Sequence, residues 1–99
     1  MDLLQQARAE IDVVDAQMAA LFERRMRAVA DVARYKAETG KPVFDAAREA
    51  AVLDKNAARI SDEALRPYYR AFLNDAMAVS RAYQRAQLGL DTAAYQGVP

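Results

Sequence analysis

The residues of this chain that could do chemistry are cations placed where apolar side chains belong. At about 100° per residue, Leu4, Ile11, Val14, Met18, Leu21, Phe22, Val29 and Val32 fall within one arc about 100° wide. Arg25 and Lys36 land inside the same arc, and Arg8 and Asp15 lie on its edge. Arg and Lys are almost never fully buried without a partner. An anion is therefore expected beside them. It is either a nearby Asp or Glu, with the long side chains snorkelling outward, or a ligand.

Two more groups join these candidates. Asp45, Arg48 and Glu49 cluster at the start of a second apolar-periodic segment. As an ordinary solvated helix start they would only complement the helix dipole. As part of a site they would add a further cation and an acceptor. Ser80 and Gln84, spaced i, i+4, flank the apolar face formed by Tyr69, Phe72, Leu73, Ala76, Val79 and Tyr83. They are either a polar boundary or two neutral hydrogen-bonding groups turned toward the cations.

Composition narrows the chemistry. With no His there is no imidazole base, no Ser-His triad and no His metal ligand. With no Cys there is no thiolate nucleophile, thiolate zinc site or disulfide. Arg, Lys, Asp, Glu, Gln, Ser and Tyr remain. Lys+Arg is 14 and Asp+Glu is 14, so the net charge is +0, without the basic excess of a general nucleic-acid binder. No apolar run approaches the ~18 residues of a membrane span, and the first ten residues lack the pattern of a signal peptide. A soluble, cytoplasmic protein contacting neither nucleic acid nor membrane is expected.

The elements that must hold these residues are helices. Residues 3–39 contain neither Gly nor Pro and are rich in Ala, Leu, Met, Glu, Gln and Arg, which predicts one long helix. At ~1.5 Å per residue it spans roughly 50 Å or more, too long for a 99-residue globular monomer. It must protrude or lie along the same helix of another copy. Gly40 suits a helix C-terminus, residues 41–44 an extended link, and Asp45 an N-cap. A second helix is expected over about 46–59. Residues 60–66 form a connection in which Ser61 and Asp62 can cap locally. A third helix is expected from Pro67 to about Leu88, stopped by Gly89. Ala fills almost a quarter of the chain, so large apolar side chains are few and a partner copy is expected to complete the core.

Spacing also constrains the site. Arg8 and Arg25 are roughly 25 Å apart along one helix and cannot grip one small molecule together. Two antiparallel copies would bring Arg8 of one chain toward the middle-to-late part of the other, giving a two-fold dimer with two equal sites. Arg25 and Lys36 are about 16 Å apart by the same rise, a gap that two long side chains can close around a ligand.

These residues carry a resemblance. Leu4-x3-Arg8-x2-Ile11-Asp12-x2-Asp15, then Arg24-Arg25-Met26 with Lys36, then Gly40-Lys41-Pro42-Val43-x-Asp45-x2-Arg48-Glu49, then Ser80-Arg81-x2-Gln84 resemble, in order and spacing, the all-helical chorismate mutases over roughly residues 3 to 87. The resemblance implies an all-α, three-helix protomer with one long N-terminal helix, intertwined into a homodimer. It implies a Claisen rearrangement of chorismate to prephenate, in phenylalanine and tyrosine biosynthesis, without cofactor, metal or covalent intermediate. Arg25 and, from the other chain, Arg8 would bind the two substrate carboxylates. Lys36 would reach a carboxylate and the ether oxygen, and Gln84 would donate its amide N–H to that oxygen. Glu49 would accept from the ring hydroxyl beside the Asp45 backbone, while Arg48 and Ser80 would complete the carboxylate grip.

The helical domain is expected over residues 1–89. Residues 90–99 are expected to begin another domain, because Ala94-Tyr95-Gln96-Gly97-Val98-Pro99 resembles the start of the prephenate dehydratase domain that follows in fused bifunctional enzymes. Two alternatives stand beside the mutase. One is an isochorismate pyruvate lyase on the same scaffold, although Asp45, Arg48, Glu49 and Gln84 follow the mutase pattern. The other is a non-enzymatic helical dimerisation module, which requires Arg25 and Lys36 to pair internally.

Overall fold

The computed structural model describes residues 2–90, all in helices and short connections. Helix α1 runs over Leu3–Thr39, α2 over Ala46–Ala57 and α3 over Arg66–Gln87. Among the described residues there is no strand. The stretch 91–99, read from sequence as the opening of a further domain, lies outside the described residues.

Each helix starts and stops on local chemistry. Asp2 opens α1 with a reciprocal capping box: its carboxylate accepts from Gln5 N at 2.8 Å, and Asp2 N donates to Gln5 Oε1 at 3.1 Å. Gly40 closes α1 at φ 72, a left-handed conformation that costs glycine little, and its N–H donates to Lys36 O at 2.8 Å. Asp45 caps α2 by accepting from Arg48 N at 3.0 Å. In the 60–66 connection Asp62, not Ser61, is the cap. It accepts from Ala64 N at 3.0 Å and opens a single 3₁₀ turn, Glu63–Leu65. That turn feeds directly into α3, so α3 begins one residue before Pro67. Helix α2 ends at Ala57, two residues earlier than its composition suggests, as the chain tightens through Arg59 N to Asn56 O at 3.0 Å.

The core lies where α3 packs against α1 and α2. Leu73 and Met77 of α3 are buried, as are Ala33 of α1 and Ala57 of α2, the two helices against which α3 packs. The two alanines let helix backbones approach closely, and Val43 of the link closes one end. This core is small, and only the C-terminal part of α1 contributes to it. The 37-residue α1 extends ~55 Å, whereas the 22-residue α3 covers ~33 Å. The sequence stripe is consequently not covered within one chain. Leu4, Ile11, Leu21 and Phe22 are all more than half exposed.

Shape and area record the same imbalance. The radius of gyration is 16.3 Å, with extents of 54 × 28 × 24 Å, against ~13 Å for a compact domain of this size. The accessible surface is 7724 Å², against about 5,600 Å² for a compact monomer of this mass. Among the described residues, no helix is long and apolar enough to cross a membrane.

Candidate active site

The C-terminal half of α1, the start of α2 and the last turns of α3 line a half-open cavity of about 250 Å³. Its floor is apolar, from Val29, Val32, Val52 and Met77. Its polar lining holds Arg25, Lys36, Arg48, Arg81, Asp45 and Glu49, with the neutral Ser80 and Gln84. Seven of the eight residues singled out in the sequence thus share one cavity. Arg8 does not: it lies exposed, roughly 25 Å up α1 from Arg25.

Helix α3 is the hub that aims these groups. Ser80 and Gln84 lie one turn apart on its buried face, at 6% and 7% exposure. The Ser80 hydroxyl donates to Ala76 O at 3.0 Å, which leaves its lone pairs to accept from Arg25 Nη1. Lys36 Nζ donates to Gln84 Oε1 at 3.1 Å and to the Val43 carbonyl at 2.6 Å. An ammonium is donor-only, so it fixes which end of the Gln84 amide faces it. The oxygen turns to Lys36, and the NH₂ group is left to donate elsewhere. Lys36 has three N–H donors and spends two on neutral acceptors, keeping one for a ligand.

Arg25 and Lys36 converge as their spacing allows, but neither pairs with a carboxylate. Among the described residues the ion pairs are Arg34–Asp31, Arg66–Glu63, Arg70–Asp54 and Arg81–Glu49, and none involves Arg25, Lys36 or Arg48. Within the chain Arg25 and Lys36 thus find neutral hydrogen-bond partners but no carboxylate among the described residues, and Arg25 and Arg48 stay exposed. Asp45 is close by, yet its carboxylate is committed to capping α2 at Arg48 N. With Arg81 paired to Glu49, the cavity keeps Arg25, Lys36 and Arg48 against the one further carboxylate of Asp45, a net positive lining. Such a cavity favours a small dianion, through charge-assisted forks from Arg and a point charge from Lys.

Arg81 is the lining residue that sequence reasoning gave no role. It follows Ser80 by one residue, hence ~100° round α3 toward α2, where its guanidinium donates to Glu49 Oε1. The signal available was Arg81 within the Ser80–Gln84 segment, but nothing in its spacing identifies Glu49, 32 positions away, as its partner.

The family model for chorismate mutase type II matches residues 7–85. No curated protein and no solved structure matches the chain. The matched span runs from just before Arg8 to just beyond Gln84 and takes in every residue of the cavity. The chain belongs to the chorismate mutase type II family and is an isomerase, a chorismate mutase.

Proposed function

We propose that the chain converts chorismate to prephenate by restraint and electrostatics alone, in a site completed by a second copy. The observation that carries this reading is the trio Arg25, Lys36 and Arg48, which face one cavity without a carboxylate partner among the described residues. In the rearrangement the ether C–O bond breaks as a C–C bond forms within the same molecule. No proton, electron or leaving group is exchanged with the protein, so neither nucleophile nor base is needed. The task is to hold the flexible enolpyruvyl arm over the ring, which removes an entropic barrier.

Arg25 and Arg48 grip a carboxylate, with Ser80 orienting Arg25 through its hydroxyl. As the C–O bond lengthens, the ether oxygen gains partial negative charge. The spare Lys36 N–H and the Gln84 NH₂ then meet that oxygen and bind the transition state better than the substrate, a reading supported by the Lys36–Gln84 hydrogen bond, which leaves both groups free to donate. Glu49 accepts from the ring hydroxyl.

A second copy supplies what one chain lacks. The cavity, about 250 Å³, falls below the ~300–1,000 Å³ usual for small-molecule sites. The bare N-terminal stripe of α1 matches an intertwined homodimer in which Arg8 of one chain reaches the other chain's cavity and binds the second carboxylate. A cytoplasmic setting and a following prephenate dehydratase-like domain, beginning within residues 90–99, belong to the same proposal.

Incubation with chorismate tests it. Loss of chorismate absorbance with prephenate as product is expected. Inactivity on chorismate, with pyruvate released from isochorismate, would establish the lyase reading instead.

A further inference from the structure

Arg81 has a place in the cavity wall that the proposed roles leave unused. Its guanidinium donates to Glu49 Oε1 on one side, and its Cζ lies 5.4 Å from the centroid of the Phe44 ring on another. The side chains of Arg81 and Glu49 are only 22% and 19% exposed, so solvent screens this pair weakly. Phe44 belongs to the link between α1 and α2 and is itself half exposed. Contact with the ring fixes the guanidinium by a cation–π interaction and limits the positions it can take.

The neighbourhood makes this pairing consequential. Glu49 lines a cavity that also holds Arg25, Lys36 and Arg48. A carboxylate left loose there would swing to one of those cations and neutralise it. Arg48 does not hold Glu49 by default, because adjacent residues on a helix point about 100° apart. Arg81, arriving from α3, engages Oε1, while Oε2 has no hydrogen-bond partner among the described residues.

We propose that Arg81 is a positioning residue: it takes up the charge of Glu49, so that Glu49 turns its second oxygen to the substrate hydroxyl and leaves Arg25, Lys36 and Arg48 for the substrate dianion. This rests on the reading of Glu49 as the acceptor for that hydroxyl. Arg81 acts through Glu49 and makes no bond to substrate. Its effect should therefore vanish once Glu49 carries no charge.

A double-mutant cycle on the full chain tests this. kcat and KM for chorismate are measured for Arg81→Met, Arg81→Lys, Glu49→Gln and each double variant, with thermal unfolding alongside. Arg81→Met is expected to lower kcat/KM by about 10- to 100-fold, chiefly through KM, as a misplaced site group does. Arg81→Lys keeps the charge but loses the planar fork, and should lose only a few-fold. Each double variant should be no worse than Glu49→Gln alone. Additive losses would overturn the proposal, because they mean that Arg81 either touches substrate itself or only supports the fold. If Arg81→Met does not fold, the Arg81→Lys cycle yields the same decision. If Glu49→Gln alone works as well as the unaltered chain, a neutral acceptor suffices there, and the role of Arg81 in taking up the Glu49 charge fails. If Glu49→Gln is impaired and the losses add, only the role of Arg81 falls.

Discussion

The two halves of α1 are built from the same kind of residues and have opposite surroundings. From Arg25 to Lys36 the helix is packed against α3, with Ala33 at 1% exposure and both cations held by side chains of α3. From Leu3 to Phe22 it carries an equally regular apolar stripe that stays exposed, with Leu4 at 57% and Leu21 at 60% exposure. Periodicity marks both halves as faces to be covered. It does not say by what. One half is covered by its own chain and lines the cavity, while the other stays exposed, and in the proposed dimer a second chain covers it. Large exposed apolar patches on small proteins mark such interfaces.

The contrast can be broken at either end. The largest effect is expected from Arg25→Ala, which should cut kcat/KM by about 1,000-fold, since it removes a charge-assisted donor from a preorganised site. The same variant should keep the assembly state and lose little stability. If it instead unfolds and a chemically rescued fold is active, Arg25 is structural. Next comes the other half. Leu21→Asp puts a charge on the bare stripe and should weaken self-association by about 100-fold or more, as burying an unpaired charge does. Sedimentation should show monomer, and activity should return as protein concentration rises. An unchanged sedimentation coefficient would mean that the stripe is not the interface.

Gln84→Glu sharpens the comparison within the packed half. A neutral amide donates at any ordinary pH, so the unaltered chain should show a flat rate from mildly acidic to mildly basic conditions. Glutamic acid donates only when protonated, so the variant should gain activity as pH falls and lose about 100-fold at pH 8. Equal activity at pH 8 would remove Gln84 from contact with the ether oxygen. The smallest effect is expected from Ser80→Ala, a few-fold rise in KM, because Arg25 loses an orienting acceptor but keeps its charge.

Much of this was legible in the sequence because it is local. Gly40, Asp45 and Gly89 mark helix ends through backbone conformation and capping, which depend on near neighbours alone. The cations stood out because Arg25 and Lys36 interrupt an apolar period. Contacts between distant positions were not legible. Arg25 with Ser80, Lys36 with the Val43 carbonyl and Arg81 with Glu49 depend on how α3 is rotated against α1 and α2. That rotation is a property of three helices and not of any one, and the buried Ala33, Ala57, Leu73 and Met77 come from all three. That part of α1 would outrun its own chain was legible from its length, but which end of the stripe stays exposed was not, because a stripe reads the same whichever chain covers it.

The composite site has a direct test in complementation. Arg8→Ala and Arg25→Ala chains are each expected to be nearly inactive alone, since every site then lacks one arginine. Co-expressed in equal amounts, half of the dimers are mixed, and each mixed dimer has one site with both arginines. The mixture should therefore recover about one quarter of the unaltered activity per chain, as two-fold symmetry dictates. Activity no greater than that of the separate parents, in a sample shown to contain mixed dimers, would contradict a site shared between two chains.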